Sequence, residues 1–276
     1  MTAPPSRLAD DPQHAQALQA ALAAQNLRCA VAWTPETAST NADLLERVRS
    51  DNCALDPQLR VAGHQTAGRG RQGRPWLDGK RDGSLLCSLA WPFAPGTPIA
   101  GLSVAVGVWL AQNLHALGAS GAQLKWPNDV LLQNRKLAGI LVELADTAQA
   151  RWAVIGIGLN LQTPPEWPEA VGLDACGLRT SRWDMLRLLA PAMLAGLPIY
   201  AQTGFSPWAE AWNRLHAWRG ESVAVLDHGE RHTTGLALGV DDQGCLLLQT
   251  PQGLRRVASG DVSLRRAADL RTTTPS

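Results

Sequence analysis

Apolar and polar positions alternate along the chain in two rhythms, one of about 3.6 residues and one of two. Leu8, Ala15, Leu18 and Leu22 fall at helical spacing and predict a helix over 7–26, followed by a short strand at CAVAW, 29–33. Leu44, Leu45 and Val48 give STNADLLERVRSD (39–51) one apolar face, and its opening run of capping residue types predicts a helix start. LRVAGHQ (59–65) predicts a strand that runs into a loop rich in glycine and arginine over 67–74. SLLCSLAW (84–91) predicts another strand, and Leu102, Val106, Trp109, Leu110 and Leu114 predict a buried helix over 101–117. QLKW, DVLLQ, KLAGILVEL and RWAVIGIGLNL are strand-like runs between 123 and 161, with a hairpin turn expected at Asn134-Arg135. A proline-rich loop at 163–168 precedes helices expected at 181–197 and 206–217.

From Arg219 the pattern changes to short strands (ESVAVL, HTTGLALGV, GCLLLQT, LRRVAS, DVSL) separated by turn signals such as His228-Gly229, Asp242-Gln243-Gly244 and Pro251-Gln252-Gly253. This predicts a small all-β barrel, a domain boundary near 218 and a frayed tail, TTTPS. The 276 residues suffice for one substantial core, or for a larger domain with a small one. A formal charge of +1 gives no whole-molecule field toward nucleic acid or acidic lipid, so any basic site is local. Five scattered cysteines without a CxxC pair argue against structural disulfides and zinc, and no direct protein ligands for a metal are expected. The N-terminus carries no secretory pattern, and the longest apolar stretch, from Ile99 to Leu110, is too short to span a bilayer. A cytoplasmic protein without membrane association is the expectation.

The segment GRGRQGRPW, 68–76, interleaves three glycines with Arg69, Arg71 and Arg74. Glycines let a backbone wrap closely around a ligand, and guanidinium forks suit phosphate or carboxylate oxygens. The spacing is not that of a P-loop, and Pro75-Trp76 followed by Asp78-Gly79 continues a loop where a Rossmann turn would open a helix. On these residues alone, anion binding stands level with a solvated basic loop or a strand-binding nucleic-acid segment.

A second segment, KWPNDVLLQNRKLAGILVEL (125–144), ends a strand at Lys125, breaks it at Pro127, bends at Asn128-Asp129 and starts a new strand at Lys136. Gly139 inside that strand hints at close approach of a ligand or another backbone. A lone lysine such as Lys136 more commonly snorkels from an edge strand than serves a pocket.

The two segments in this order, with the STN triplet at 39–41, Gln65, GIGLN at 156–160 and SGDVSLR at 259–265, closely resemble the biotin protein ligase family, from about Trp33 to Arg265. The resemblance implies an α+β protein: a class II aminoacyl-tRNA synthetase-like catalytic domain with a mixed sheet over 1–218, and an SH3-like β-barrel over 219–276. It implies ATP and biotin as substrates, Mg²⁺ with the ATP, and a biotin carboxyl carrier protein as acceptor. By motif matching, Ser39, Thr40 and Gln65 would hold the ureido head of biotin, and Asn41 would belong to the same biotin-binding set. Gly68, Arg69 and Arg71 would wrap the acyl-phosphate, with Trp76 closing the loop, and Gly139 and Leu141 would line the biotin wall. Lys136 would bridge the carboxylate and the α-phosphate, and Asp129 would position the carrier lysine. Lys125, Asn128, Asn160 and Arg265 would face the nucleotide.

Some family members carry an N-terminal DNA-reading domain. Only about thirty residues precede the first predicted strand, so the expectation is a monofunctional ligase without nucleic-acid binding. Asp261 stands where several relatives have Glu. Within the same fold, a lipoate or octanoate ligase is the rival reading. The resemblance leaves monomer and homodimer open.

Overall fold

The computed structural model describes residues 11–50, 54–77, 82–227, 230–259 and 262–269. The first residues of the predicted N-terminal helix, Cys53, the His228-Gly229 turn, Asp261 and the TTTPS tail lie outside them. The larger layer is a seven-stranded sheet of β1 (Ala30–Thr34), β2 (Gln58–Ala62), β3 (Ser84–Phe93), β4 (Gln123–Lys125), β5 (Asp129–Leu132), β6 (Arg135–Asp146) and β7 (Arg151–Asn160). Its order is β1-β2-β3-β7-β6-β5-β4, with β1 and β2 parallel and the other neighbours antiparallel, which is the mixed sheet expected.

Side-chain alternation divides this sheet. Leu85, Cys87 and Leu89 of β3 and Ile155, Ile157 and Leu159 of β7 enter the main apolar core. That core also takes the buried faces of α1 (Asp11–Ala24), α3 (Leu102–Ala116) and α4 (Arg182–Thr203). Ala90, Trp152 and Val154 lie in a separate cluster with Leu44, Leu45 and Val48 of α2 (Thr40–Val48). One face is thus fully covered by helices. The other is covered by α2 over part of its width, which leaves room for a cleft.

Two sequence expectations shift. The hairpin turn lies at Gln133-Asn134, one residue earlier than expected, with both residues at positive φ (52° and 60°), as a two-residue turn matched to strand twist requires. α4 passes through Pro191 and Pro198 to Thr203, beyond the expected end at 197, because Met193, Leu194, Leu197 and Tyr200 are all buried. It is also the one described helix long and apolar enough to cross a membrane, a length the apolar stretch at 99–110 does not reach. Its Leu189, Met193 and Leu197 lie in the core. The helix expected at 206–217 is shorter, α5 (Ala209–Leu215), preceded by a 3-10 turn at Ser206–Trp208.

The second sheet contains β8 (Ser222–Asp227), β9 (Glu230–Val240), β10 (Leu246–Thr250), β11 (Gly253–Val257) and β12 (Val262–Arg266), antiparallel in the order β11-β10-β9-β8-β12. It is the barrel-like unit expected. Val223, Val225, Leu246 and Leu264 join the same apolar core as the larger sheet. The junction is tight where Gly101, at the start of α3, meets the turn before β10. Both Gly101 and Gly244 have positive φ (82° and 76°), and a Cβ on Gly244 would stand 2.9 Å from the Gly101 Cα. Gly244→Val is expected to cost about 1–3 kcal/mol, from left-handed backbone and lost packing together. Urea unfolding checks this as a lower midpoint at unchanged slope.

Candidate functional site

The chain past β1 and β2 explains how the two halves of the site meet. After β2 the backbone keeps pairing beside the β1 extension: Thr37 N–H donates to His64 O (3.1 Å), Thr66 N–H to Thr37 O (2.9 Å) and Ala67 N–H to Ala38 O (3.0 Å). This brings Ser39 and Thr40 beside Gln65 and the start of the glycine–arginine loop. Ser39 is the N-cap of α2, its Oγ accepting from Ala42 N–H at 3.4 Å, so capping and cleft-lining coincide in one residue. Thr40 N–H donates to Gln65 Oε1 at 2.7 Å.

The cleft floor is built from missing side chains. Gly139 of β6 faces Gly158 of β7 across the sheet, and Leu141 faces Gly156. The Trp76 indole lies over this floor. A Cβ on Gly139 would be 3.0 Å from the ring, and one on Gly158 would fall among its atoms. Gly156 makes room for the Asn41 amide in the same way. The Trp76 Nε1 is buried without an acceptor among the described residues. With the indole there, the cleft measures about 180 Å³. That is below the roughly 300–1,000 Å³ usual for small-molecule sites, because the indole fills part of the space over the glycine floor.

The loop itself folds as a narrow arch. Gly70 N–H donates to Arg74 O (2.7 Å) and Trp76 N–H to Gly68 O (2.9 Å), around a 3-10 turn at Arg71–Gly73. Arg71 reaches across to the second sheet, donating to Ser259 O, between β11 and β12, at 3.0 Å and to Val262 O of β12 at 3.4 Å. Arg69 pairs with Glu143 at 3.3 Å.

At the other end stands a charged cluster. The turn Trp126-Pro127-Asn128, with a cis Trp126–Pro127 peptide, sets Lys125 of β4 opposite Asp129 of β5. The turn is anchored by Trp126 Nε1 donating to Gly244 O (3.0 Å) and by Asn128 Nδ2 donating to Ile140 O (2.8 Å). Asp129 then takes Lys125 Nζ at 3.1 Å and Lys136 Nζ at 2.7 Å, one lysine on each oxygen. Burial would raise the Asp129 carboxyl, but Lys136 and Lys125 outweigh it and hold the group well below the usual carboxylate range. Burial pulls the Lys125 ammonium below its ordinary value, Asp129 opposing this while Arg265 and Lys136 add to it. A carboxyl so acidic is a poor general base near neutrality. Its chemistry is that of a fixed anion aligning two ammonium groups.

Of the residues singled out from sequence, Ser39, Thr40, Asn41, Gln65, Arg69, Arg71, Trp76, Lys125, Asn128, Asp129, Lys136, Gly139, Leu141 and Arg265 line this one cleft. Two stand behind it. Gly68 packs against Trp76, where a Cβ would be 2.6 Å from the Trp76 carbonyl oxygen. Asn160 is buried and its amide donates to Val171 O (3.3 Å) and Lys136 O (3.4 Å), so it supports the lysine strand where contact with adenosine was expected. Sequence reading missed Ser88, Glu143 and the floor role of Gly156 and Gly158. The last pair was legible, since glycines two apart in a strand open one face.

Residues 33–160 match the biotin/lipoate A/B protein ligase family, and 220–265 match the biotin protein ligase C terminal domain. The chain is 35% identical over 248 residues to the bifunctional ligase/repressor BirA of Escherichia coli (strain K12), covering 86% of this chain and 74% of that protein. It is 34% identical over 238 residues to the biotin--[acetyl-CoA-carboxylase] ligase of Mycobacterium tuberculosis, covering 82% of this chain and 86% of that one. Among solved structures it is similar to the biotin protein ligase from Aquifex aeolicus in complex with biotin and ATP, with TM-score 0.72, 28% identity, and coverage of 86% and 98% of the two chains. With its mixed sheet, its antiparallel second sheet and these matches in both parts, the chain belongs to the biotin protein ligase family.

Proposed function

We propose that the protein forms biotinyl-5′-AMP from biotin and ATP and passes the biotinyl group to a lysine of a biotin carboxyl carrier protein. The observation that carries this is the polarity of one cleft. Hydroxyl and amide groups of Ser39, Thr40 and Asn41 stand at one end, Lys125, Lys136 and Arg265 at the other, and a glycine floor lies between. A ring with polar groups suits the first end, and a carboxylate meeting a phosphate suits the second.

In the first step a biotin carboxylate oxygen attacks the α-phosphorus, and the bond to the bridging oxygen breaks, releasing pyrophosphate. Lys136, held by Asp129, stabilises negative charge gathering on the α-phosphoryl oxygens. In the second step the carrier lysine nitrogen attacks the acyl carbon, AMP leaves, and the nitrogen loses a proton as the amide forms. Asp129 serves by orientation and charge. Mg²⁺ accompanies ATP as part of the substrate. Asp129 is the one carboxylate lining the cleft among the described residues, and each of its oxygens is held by a lysine. The division into a catalytic unit over 1–218 and a smaller unit over 219–276, and a cytoplasmic site of action where ATP is supplied, belong to the same reading.

The Arg71 bridge to Ser259 ties the loop to the second sheet, which gives the loop a closed position over the adenylate. Arg71→Ala is expected to let labelled adenylate escape at least about tenfold faster, equivalent to one lost charge-assisted hydrogen bond. Gel filtration of the loaded enzyme measures it, and retention equal to the parent would remove the lid role.

The reading is tested by incubating the full chain with ATP, Mg²⁺, labelled biotin and an apo carrier domain. Label on the carrier lysine is expected. Lipoate transfer in its place would establish the rival activity.

A further inference from the structure

Between the polar end of the cleft and the glycine–arginine loop runs a chain of side-chain hydrogen bonds whose directions follow from counting protons. It ends at Glu143, whose Oε2 accepts from Asn41 Nδ2 at 2.8 Å and from Arg69 at 3.3 Å. A carboxylate facing a guanidinium accepts only, as does the Leu141 carbonyl 3.5 Å from the same Asn41 nitrogen. Asn41 therefore turns its NH2 toward both. Its Oδ1 faces Ser88 Oγ at 2.5 Å, a contact that requires the Ser88 hydrogen. Ser88 has no second hydrogen to give, so the 2.6 Å contact between Ser88 Oγ and Thr40 Oγ1 uses the hydrogen of Thr40. The backbone N–H of Thr40 supplies Gln65 Oε1 at 2.7 Å, and the same oxygen lies 3.1 Å from Thr40 Oγ1, a second and longer inward acceptor for the hydroxyl hydrogen. The Thr40 hydroxyl, which lines the cleft, thus has its hydrogen committed inward and shows a ligand lone pairs only.

We propose that Ser88 and Glu143 are positioning residues that set this polarity, and so select an acid whose head ring carries N–H donors over one whose head ring carries none. The proposal rests on the reading that the ring binds at Ser39 and Thr40. Neither residue lines the cleft, and Ser88 is fully buried, so both act through Asn41 and Thr40. A ureido N–H satisfies the Thr40 oxygen. A dithiolane leaves it desolvated with nothing to accept, and buried polar groups left unpaired are the strongest source of discrimination.

The test uses the full chain with Ser88→Ala, Ser88→Cys, Glu143→Gln and Thr40→Val. Calorimetry gives the biotin affinity, competition gives that of lipoate, and steady-state kinetics gives kcat with KM for biotin and for ATP. In Ser88→Ala the Thr40 hydrogen loses its 2.6 Å acceptor and keeps only the longer 3.1 Å contact to Gln65 Oε1, so its inward hold weakens, and biotin affinity is expected to fall about threefold while lipoate affinity holds. KM for ATP and kcat stay near the parent values. Ser88→Cys, a weaker donor of similar size, falls between. Glu143→Gln shifts the same way by less, because a glutamine side chain can offer either end to Asn41. An unchanged biotin-to-lipoate ratio in Ser88→Ala and Glu143→Gln, with biotin lost in Thr40→Val, overturns the polarity proposal and leaves the head-group reading standing. Parent-like biotin binding by Thr40→Val removes that reading and the proposal with it. Parallel weakening for biotin and ATP marks a purely structural role and also overturns it.

Discussion

Lys136→Ala is expected to slow adenylate formation by about 10²–10³-fold, the loss seen when one preorganised donor to a developing oxyanion is removed. The cause is local. Lys136 Nζ is fixed 2.7 Å from Asp129 Oδ1 and stands 5.5 Å from the Trp76 ring centroid, so its charge is held in place before substrate arrives. Such preorganisation acts mainly on the transition state, and biotin affinity should change far less than kcat. Single-turnover release of labelled pyrophosphate reads the first quantity and calorimetry the second. Lys136→Arg keeps the charge but brings a planar fork in place of a compact ammonium, and should recover the activity only in part. A parent-like rate in Lys136→Ala would falsify its assignment to the α-phosphate.

The second large effect is expected at Asp129. Asparagine there preserves shape and removes the one anion that lines the cleft with Lys125, Lys136 and Arg265 among the described residues. The Lys125 side chain is only 12% exposed, and breaking a buried pair by removing one partner costs about 3–5 kcal/mol. Deprotonation of Lys125 relieves part of this, so about 3 kcal/mol at neutral pH is the expected loss. The pH dependence follows from the depressed Asp129 carboxyl. Its contribution is present above the ordinary carboxylate value and is lost as pH falls through its lower folded value, so the gap between parent and variant should begin to narrow below about pH 4 and close only at still lower pH. Urea unfolding at neutral and acidic pH reads the convergence. With the anion gone, the remaining influences on Lys125 all lower it, so the variant's kcat/KM for ATP should begin to fall at a lower pH on the alkaline side.

The element pattern was legible because most segments carry a clean period. β3 and β7 alternate between a core face and a second face, and α3 is apolar nearly all round because it is buried nearly all round. Where the reading slipped, tertiary contact overrode a local signal. Pro198 stops a helix in isolation, yet here Leu197 and Tyr200 hold α4 in the core on both sides of it. The turn slipped by one residue because Gln133, which rarely takes positive φ, does so beside Asn134.

The sequence by itself determined the residue types of the site and their order: three glycines among three arginines, Lys125 and Asp129 four apart, Lys136 seven further on, and a capping triplet before α2. Those spacings are local chemistry, set by turns and strand ends that short segments specify. The tertiary structure decided which of these groups share a cleft and how each is held. It set Asp129 between two lysines, sent Asn160 behind the cleft, laid Trp76 on the glycine floor, and oriented Thr40 through Ser88, Asn41 and Glu143. Glu143 is about a hundred residues from Asn41 in sequence. No period or motif links such positions; only sheet pairing and the packing of α2 bring them within hydrogen-bond reach.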